Sequence, residues 1–151
     1  MKKFQFKFET VEKVRKTRED EALRLLAQAQ RVFQQARNHK ERLVNDLNEA
    51  LLRRELLAKE VVTVVAFFVE EDFITGTKQR IVYADQAILR AKRGVEKAIR
   101  FYLYARRQTR TIEILREKAY EEYKQQTKRQ EQKEINDLHV MRARLNSEEA
   151  A

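Results

Sequence analysis

The sequence has no proline, no cysteine and no tryptophan, and only two glycines, Gly76 and Gly94. Without cysteine there can be no disulfide, no thiolate metal site and no cysteine nucleophile. Without proline, and almost without glycine, the chain carries few residues that stop a helix. Long apolar runs are also missing. The longest, residues 61–69, is interrupted by Thr63 and falls well short of the ~18 residues a membrane span needs. The opening Met1-Lys2-Lys3-Phe4-Gln5-Phe6-Lys7-Phe8 lacks the apolar core of a secretory leader. These absences predict a soluble protein of a reducing compartment.

What the chain has is charge. Of 151 residues, 38% are charged, against about 25% in an average soluble domain. This is the composition of long solvated helices. The formal net charge is +9 and it is uneven: residues 1–75 carry 15 basic and 13 acidic groups, residues 76–151 carry 18 and 11. An acidic protein surface, a nucleic acid or an anionic lipid would each suit such a chain.

The apolar residues are spaced by alternating steps of four and three. Ala22, Leu26, Ala29, Phe33, Ala36, Lys40, Leu43, Leu47, Ala50, Arg54, Leu57, Val61, Val64 and Phe68 form one such series. Ile81, Ala84, Ile88, Ala91, Val95, Ala98, Tyr102, Ala105, Thr109, Ile112, Arg116, Ala119 and Tyr123 form a second. Heptads sustained this long predict a coiled coil. Between the two series, residues 70–79 hold Gly76 amid Asp72, Thr75 and Thr77, residue types that favour reversal of the chain. The fold expected is therefore all-α: a long two-helix antiparallel coiled-coil hairpin with its turn near residues 71–77. It reads as a single domain over 1–151, with helix one about 10–70, helix two about 78–142 and frayed termini. Partners across the seam would then have residue numbers totalling 148 to 149. That register pairs Leu47 with Tyr102 and Lys40 with Thr109. It also sets Arg15 near Glu134 and Arg18 near Glu131, and closes Phe8, Val11 and Val14 on Met141, Leu138 and Ile135.

Three stretches are candidate surfaces. The first is the open end, where Phe4, Phe6 and Phe8 form an arm that packs on a neighbouring helix or anchors a partner. The second is residues 61–69, too apolar for one seam, with Val62, Val65, Val69 and Phe67 off it. Either the turn folds over them, or the β-branched run bends the helix end, or they form an exposed docking patch. The third is a basic collar, Arg90, Arg93, Lys97, Arg100 and Arg107, in line with Tyr104; residues 90–110 hold eight bases and one acid, Glu96. It is either a solvated face or a surface for an acidic partner. Gly94 would leave room for Arg54 across the seam, or serve as a hinge or allow the close approach of a partner. Catalysis has no support: His39 and His139 would lie roughly 40 Å apart by helical rise, and no Gly-rich phosphate loop is present. No catalytic, cofactor or metal site is expected.

The start Phe4-Gln5-Phe6-Lys7-Phe8-Glu9-Thr10-Val11-Glu12-Lys13-Val14-Arg15-Lys16-Thr17-Arg18, followed by Leu26-Ala27-Gln28-Ala29, resembles the flagellar export protein FliJ family. So do Leu115-Arg116-Glu117-Lys118-Ala119-Tyr120 and Glu131-Gln132-Lys133-Glu134-Ile135-Asn136-Asp137. Phe8 and Val11 stand where that family often has Leu. The resemblance implies a non-enzymatic part of the bacterial type III export apparatus of the flagellum, cytoplasmic and peripheral at the inner membrane, serving flagellum biogenesis and motility. Its implied partners are the hexameric export ATPase, the export gate protein and substrate-specific export chaperones. Carried onto this sequence, the ATPase would meet Phe8, Val11, Arg15, Arg18, Glu131, Glu134 and Leu138. The gate would meet Phe67, Phe68, Phe73 and Ile74. The analogous stalk of virulence-type secretion systems shares the architecture. The alternative is a basic coiled coil that binds nucleic acid through the collar, or a structural one.

Overall fold

The computed structural model describes residues 3–61 and 63–150; Val62, placed off the seam above, lies outside the described residues. It holds two helices, α1 (Glu9–Lys59) and α2 (Val64–Glu149), and no strand among the described residues. The two pack against each other, so the architecture is the all-α helical hairpin expected. By contacts the chain divides into two compact units, residues 20–104 and residues 1–19 with 105–151.

The unit of residues 20–104 contains the turn, and the turn is not at Gly76. α1 ends at Lys59 and α2 begins at Val64, inside the β-branched run, and Gly76 sits within α2 without a positive φ. Successive Val and Thr side chains lose χ1 freedom in a helix, so residues 61–65 form the weakest helical stretch of the sequence. Thr63 adds a residue type suited to a helix N-cap, and its carbonyl accepts from the Ala66 amide at 3.0 Å. The bend expected at a helix end is here a complete break. Gly76, by contrast, is a helix interior glycine with open space around it: an added Cβ would meet nothing within 4 Å. Gly76→Ala should therefore raise stability by about 1 kcal/mol, read as a higher midpoint in urea.

Moving the turn moves the register. Lys40 pairs with Asp85 at 2.6 Å, Arg53 with Glu70 at 3.1 Å and Arg54 with Glu71 at 3.0 Å. Each pair is offset by about 24 residues from the expected alignment. Lys40 is not opposite Thr109, and Gly94 leaves no room for Arg54, which reaches Glu71 instead. Most of the expected seam residues are at the seam. Ala22, Leu43, Ala50 and Ala84 are buried, and Leu26, Ala29, Phe33, Ala36, Leu47, Leu57, Ile81, Ile88, Ala91, Val95, Ala98 and Tyr102 are partly so. The seam simply runs on through Ile74 and Thr77, both buried, and stops short of Val61, Val64 and Phe68, all exposed. Buried Thr77 is satisfied locally, its hydroxyl donating to the Phe73 carbonyl at 2.7 Å.

In the other unit, the start of α1 packs on α2 from Ala105 onward. Glu9 and Glu12 lie in the first turn of α1, where carboxylates suit the helix dipole. Glu12 is buried and pairs with Arg116 at 2.7 Å and Lys16 at 3.4 Å. The Arg15 guanidinium donates to the Gln108 carbonyl, and Thr109 donates to the carbonyls of Ala105 and Arg15. Ahead of the helix, the aromatic arm folds back. Phe6 is buried, and the Phe4 ring lies 5.2 Å from Tyr120 and 5.5 Å from Tyr123. The first of the two readings of the arm is the observed one. α2 continues as helix to Glu149, past the limit of 142 expected for it.

Candidate partner-binding surfaces

The open-end candidates do not come together as expected. Arg15 is spent on Gln108, and Arg18 is exposed with no partner among the described residues. Glu131 and Glu134 are exposed along α2, and among the described residues Glu134 accepts only from Gln130, one turn away. The clasp of Phe8, Val11 and Val14 on Ile135, Leu138 and Met141 does not form; all six are exposed. His139 lies exposed in the same stretch of α2. The physical reason is the turn: a hairpin closed at 60–63 uses up α1 by about residue 120 of α2. From residue 128 to 150 every described residue is exposed and every hydrogen bond is local. This unaccompanied stretch is about 23 residues, roughly 35 Å at 1.5 Å per residue. Ile135, Leu138, Met141 and Leu145 recur on it at intervals of three and four, so one face of a solvated helix is apolar. The spacing was visible in sequence; its lack of a partner was not.

At the turn the four aromatic and aliphatic candidates separate. Ile74 is 2% exposed, a seam residue unavailable to a partner. Phe67 is half-buried, and Phe73 lies beneath the Arg53 guanidinium, 5.8 Å from the ring centre. Phe68 is 61% exposed and is joined by Val61, Val64, Val65 and Val69, all well exposed. Sequence reading had Val65 and Val69 off the seam, and the structure leaves them in solvent. Val69 stands at the edge of the seam, lining a shallow groove with Leu56 and Leu57 of α1, and Val61, Val64, Val65 and Phe68 extend the apolar surface away from it.

Arg90, Arg93, Lys97 and Arg100 are exposed on α2 in the unit of residues 20–104, and Arg107 is exposed in the other. None of the five has an ion-pair partner among the described residues. The α1 segment beside residues 87–94 is residues 25–36, as the shared groove lined by Leu25, Val32, Ala87 and Arg90 establishes. Among the described residues no group of His, Cys, Asp or Glu could hold a metal ion, and no helix is long and apolar enough to cross a membrane.

No curated protein and no solved structure matches the chain. A family model does: that of the flagellar FliJ protein matches residues 4–148, nearly the whole length, and spans both helices, the aromatic arm and the unaccompanied end of α2. The chain belongs to the FliJ family and is a component of the flagellar export apparatus.

Proposed function

We propose that this protein is the coiled-coil stalk of the export apparatus, which binds the hexameric export ATPase, promotes its assembly and activity, and contacts the export gate and substrate chaperones. The observation that carries the reading is the end of α2, a helix without a partner that presents Ile135, Leu138, Met141 and Leu145 on one face. Such a stripe in water is costly at about 25 cal/mol per Å² of apolar surface, and a socket in the ATPase would cover it. Glu131 and Glu134 flank the stripe as its polar rim, and Arg18, Phe8 and Val11 form a second contact where α1 begins. Arg15 is left out, since its side chain is engaged within the hairpin. The gate contact is assigned to Phe68 and the valines beside it, with Phe67 and Phe73 at the edge of the patch and Ile74 excluded. The protein acts by binding, at the cytoplasmic face of the inner membrane, and holds no cofactor.

The test is a co-sedimentation and ATPase assay with the export ATPase of the same flagellum. The native chain is expected to raise the hydrolysis rate. Ile135→Asp/Leu138→Asp should abolish both binding and stimulation, while Val65→Ser/Phe68→Ser should leave them intact and weaken capture of the gate protein. Stimulation by the Ile135→Asp/Leu138→Asp chain at the native level would sink the assignment of that end to the ATPase.

A further inference from the structure

One surface in the unit of residues 20–104 belongs neither to the free end of α2 nor to the turn patch. Between α1 and α2 runs an open groove of about 530 Å³, walled on one side by Leu25 and Val32 and floored by Ala29, Ala36 and Ala91. Ala87 and Gly94 form the opposite wall. Leu25 and Val32 are half exposed, so their apolar faces are turned to water rather than buried across the seam. Gly94 is the informative residue. It weakens the interior of α2, and nothing in the chain requires it, because a Cβ there would meet no atom within 4 Å. What its missing side chain does is keep one wall of the groove low. Phe101, also half exposed, continues that wall one heptad further along α2.

The charges around the groove are predominantly basic. Residues 22–40 of α1 contain no acid, and residues 86–97 of α2 contain one, Glu96, against Arg90, Lys92, Arg93 and Lys97. Arg90 lines the groove itself. Arg93 and Lys97 stand one and two turns on along α2, while Arg24 and Arg31 stand one turn to either side of Gln28, which lines the α1 rim. All four are exposed, without an ion-pair partner among the described residues. An apolar floor with basic rims on both helices has a defined complement. We infer that this groove is the docking site of an amphipathic α-helix from an acidic partner protein. Its apolar residues, at i, i+3 or i+4 and i+7, fill the trough, and its carboxylates pair with Arg24, Arg31, Arg90, Arg93 and Lys97. The groove spans residues 25–36 of α1, roughly 17 Å or three helical turns, the length of that anchor pattern. A nucleic acid would use the rims and leave the apolar floor wet. A second copy would bring another +9 surface against this one.

The test uses the full chain and a labelled peptide of about 20 residues, long enough to cover the groove, with Leu on one helical face and Glu on its flanks. Fluorescence anisotropy should show saturable binding that weakens with salt. A scrambled peptide of the same composition should not saturate. Gly94→Leu fills the trough and suits the helix better than Gly, so its circular dichroism should be unchanged while affinity falls by about tenfold or more. Arg90→Glu/Arg93→Glu should produce a comparable loss. The proposal is overturned if the amphipathic peptide fails to bind at about 1 mM, or if Gly94→Leu binds it undiminished. It is overturned equally if duplex DNA or phosphatidylglycerol vesicles bind more tightly than the peptide and lose binding with Gly94→Leu. Concentration-dependent dimerisation abolished by that substitution would instead assign the groove to a second copy.

Discussion

Replacing Ile74 by alanine is expected to destabilise the protein by about 3 kcal/mol, whereas Phe68→Ala should change stability by no more than about 0.5 kcal/mol. The two residues are six apart, on the same helix and equally apolar, yet their environments differ. Ile74 is 2% exposed in the seam with α1, so truncation removes buried methyl groups and leaves a void that a two-helix packing fills poorly. Phe68 is 61% exposed, off the seam, and loses little. Ile74→Asp should be worse than Ile74→Ala, at about 4 kcal/mol or more, since the carboxylate would enter the seam without a counter-ion. Urea titration followed by circular dichroism reads all three. The comparison also tests the turn, because a reversal at residues 71–77 would put Ile74 on a surface loop and make its truncation as mild as that of Phe68.

Ending the chain at Arg129 should leave the urea midpoint unchanged and abolish stimulation of the export ATPase. The stability half follows from the structure. Residues 128–150 make no hydrogen bond beyond their own helical turn and bury nothing against α1. The functional half follows from the proposal that Ile135, Leu138, Met141 and Leu145 enter the ATPase. Phe6→Ala provides the opposing control. It empties a buried site between the arm and α2 and should cost about 3 kcal/mol without touching the free helix. A truncated chain that melts earlier than the full one would mean that residues 130–151 pack on α1 after all. An intact melt with full ATPase stimulation would remove that end from the binding reaction.

The seam was legible in the sequence and the alignment across it was not. Steps of four and three single out the same buried residues whichever way the arms are slid, because a shift of three or four residues merely exchanges one kind of layer for the other. Ala50 can meet Ala98 or Ile74 without any change in its own exposure. Only the turn fixes the choice, and two candidate turns were present. Gly76, with polar neighbours, has the chemistry of a reversal, but a single glycine costs a helix about 1 kcal/mol, less than the seam contacts of Ile74 and Thr77 return. Residues 61–65 have no turn chemistry before Thr63, but several β-branched residues in succession weaken the helix more than one glycine does. The candidate surfaces inherited the error. Ile74 moved from a patch to the core, Glu131 and Glu134 lost Arg15 and Arg18, and the clasp opened into a free apolar stripe. The basic collar depended on α2 alone and kept its exposure.

The position of the turn also sets an order of assembly. Contacts near it close short loops, with 17 residues separating Arg53 from Glu70 and Arg54 from Glu71. Those at the far end close long ones, with 93 between Arg15 and Gln108 and 104 between Glu12 and Arg116. Loop-closure entropy grows with this separation, so the helices should zip outward from residues 60–63, and each pair formed shortens the effective loop for the next. Residues 20–104 are contiguous, whereas the other unit joins residues 1–19 to 105–151 across a long separation, so the first should close before the second. Nucleation thus belongs to the valine-rich turn and its adjoining seam, and the aromatic arm is the last piece to dock.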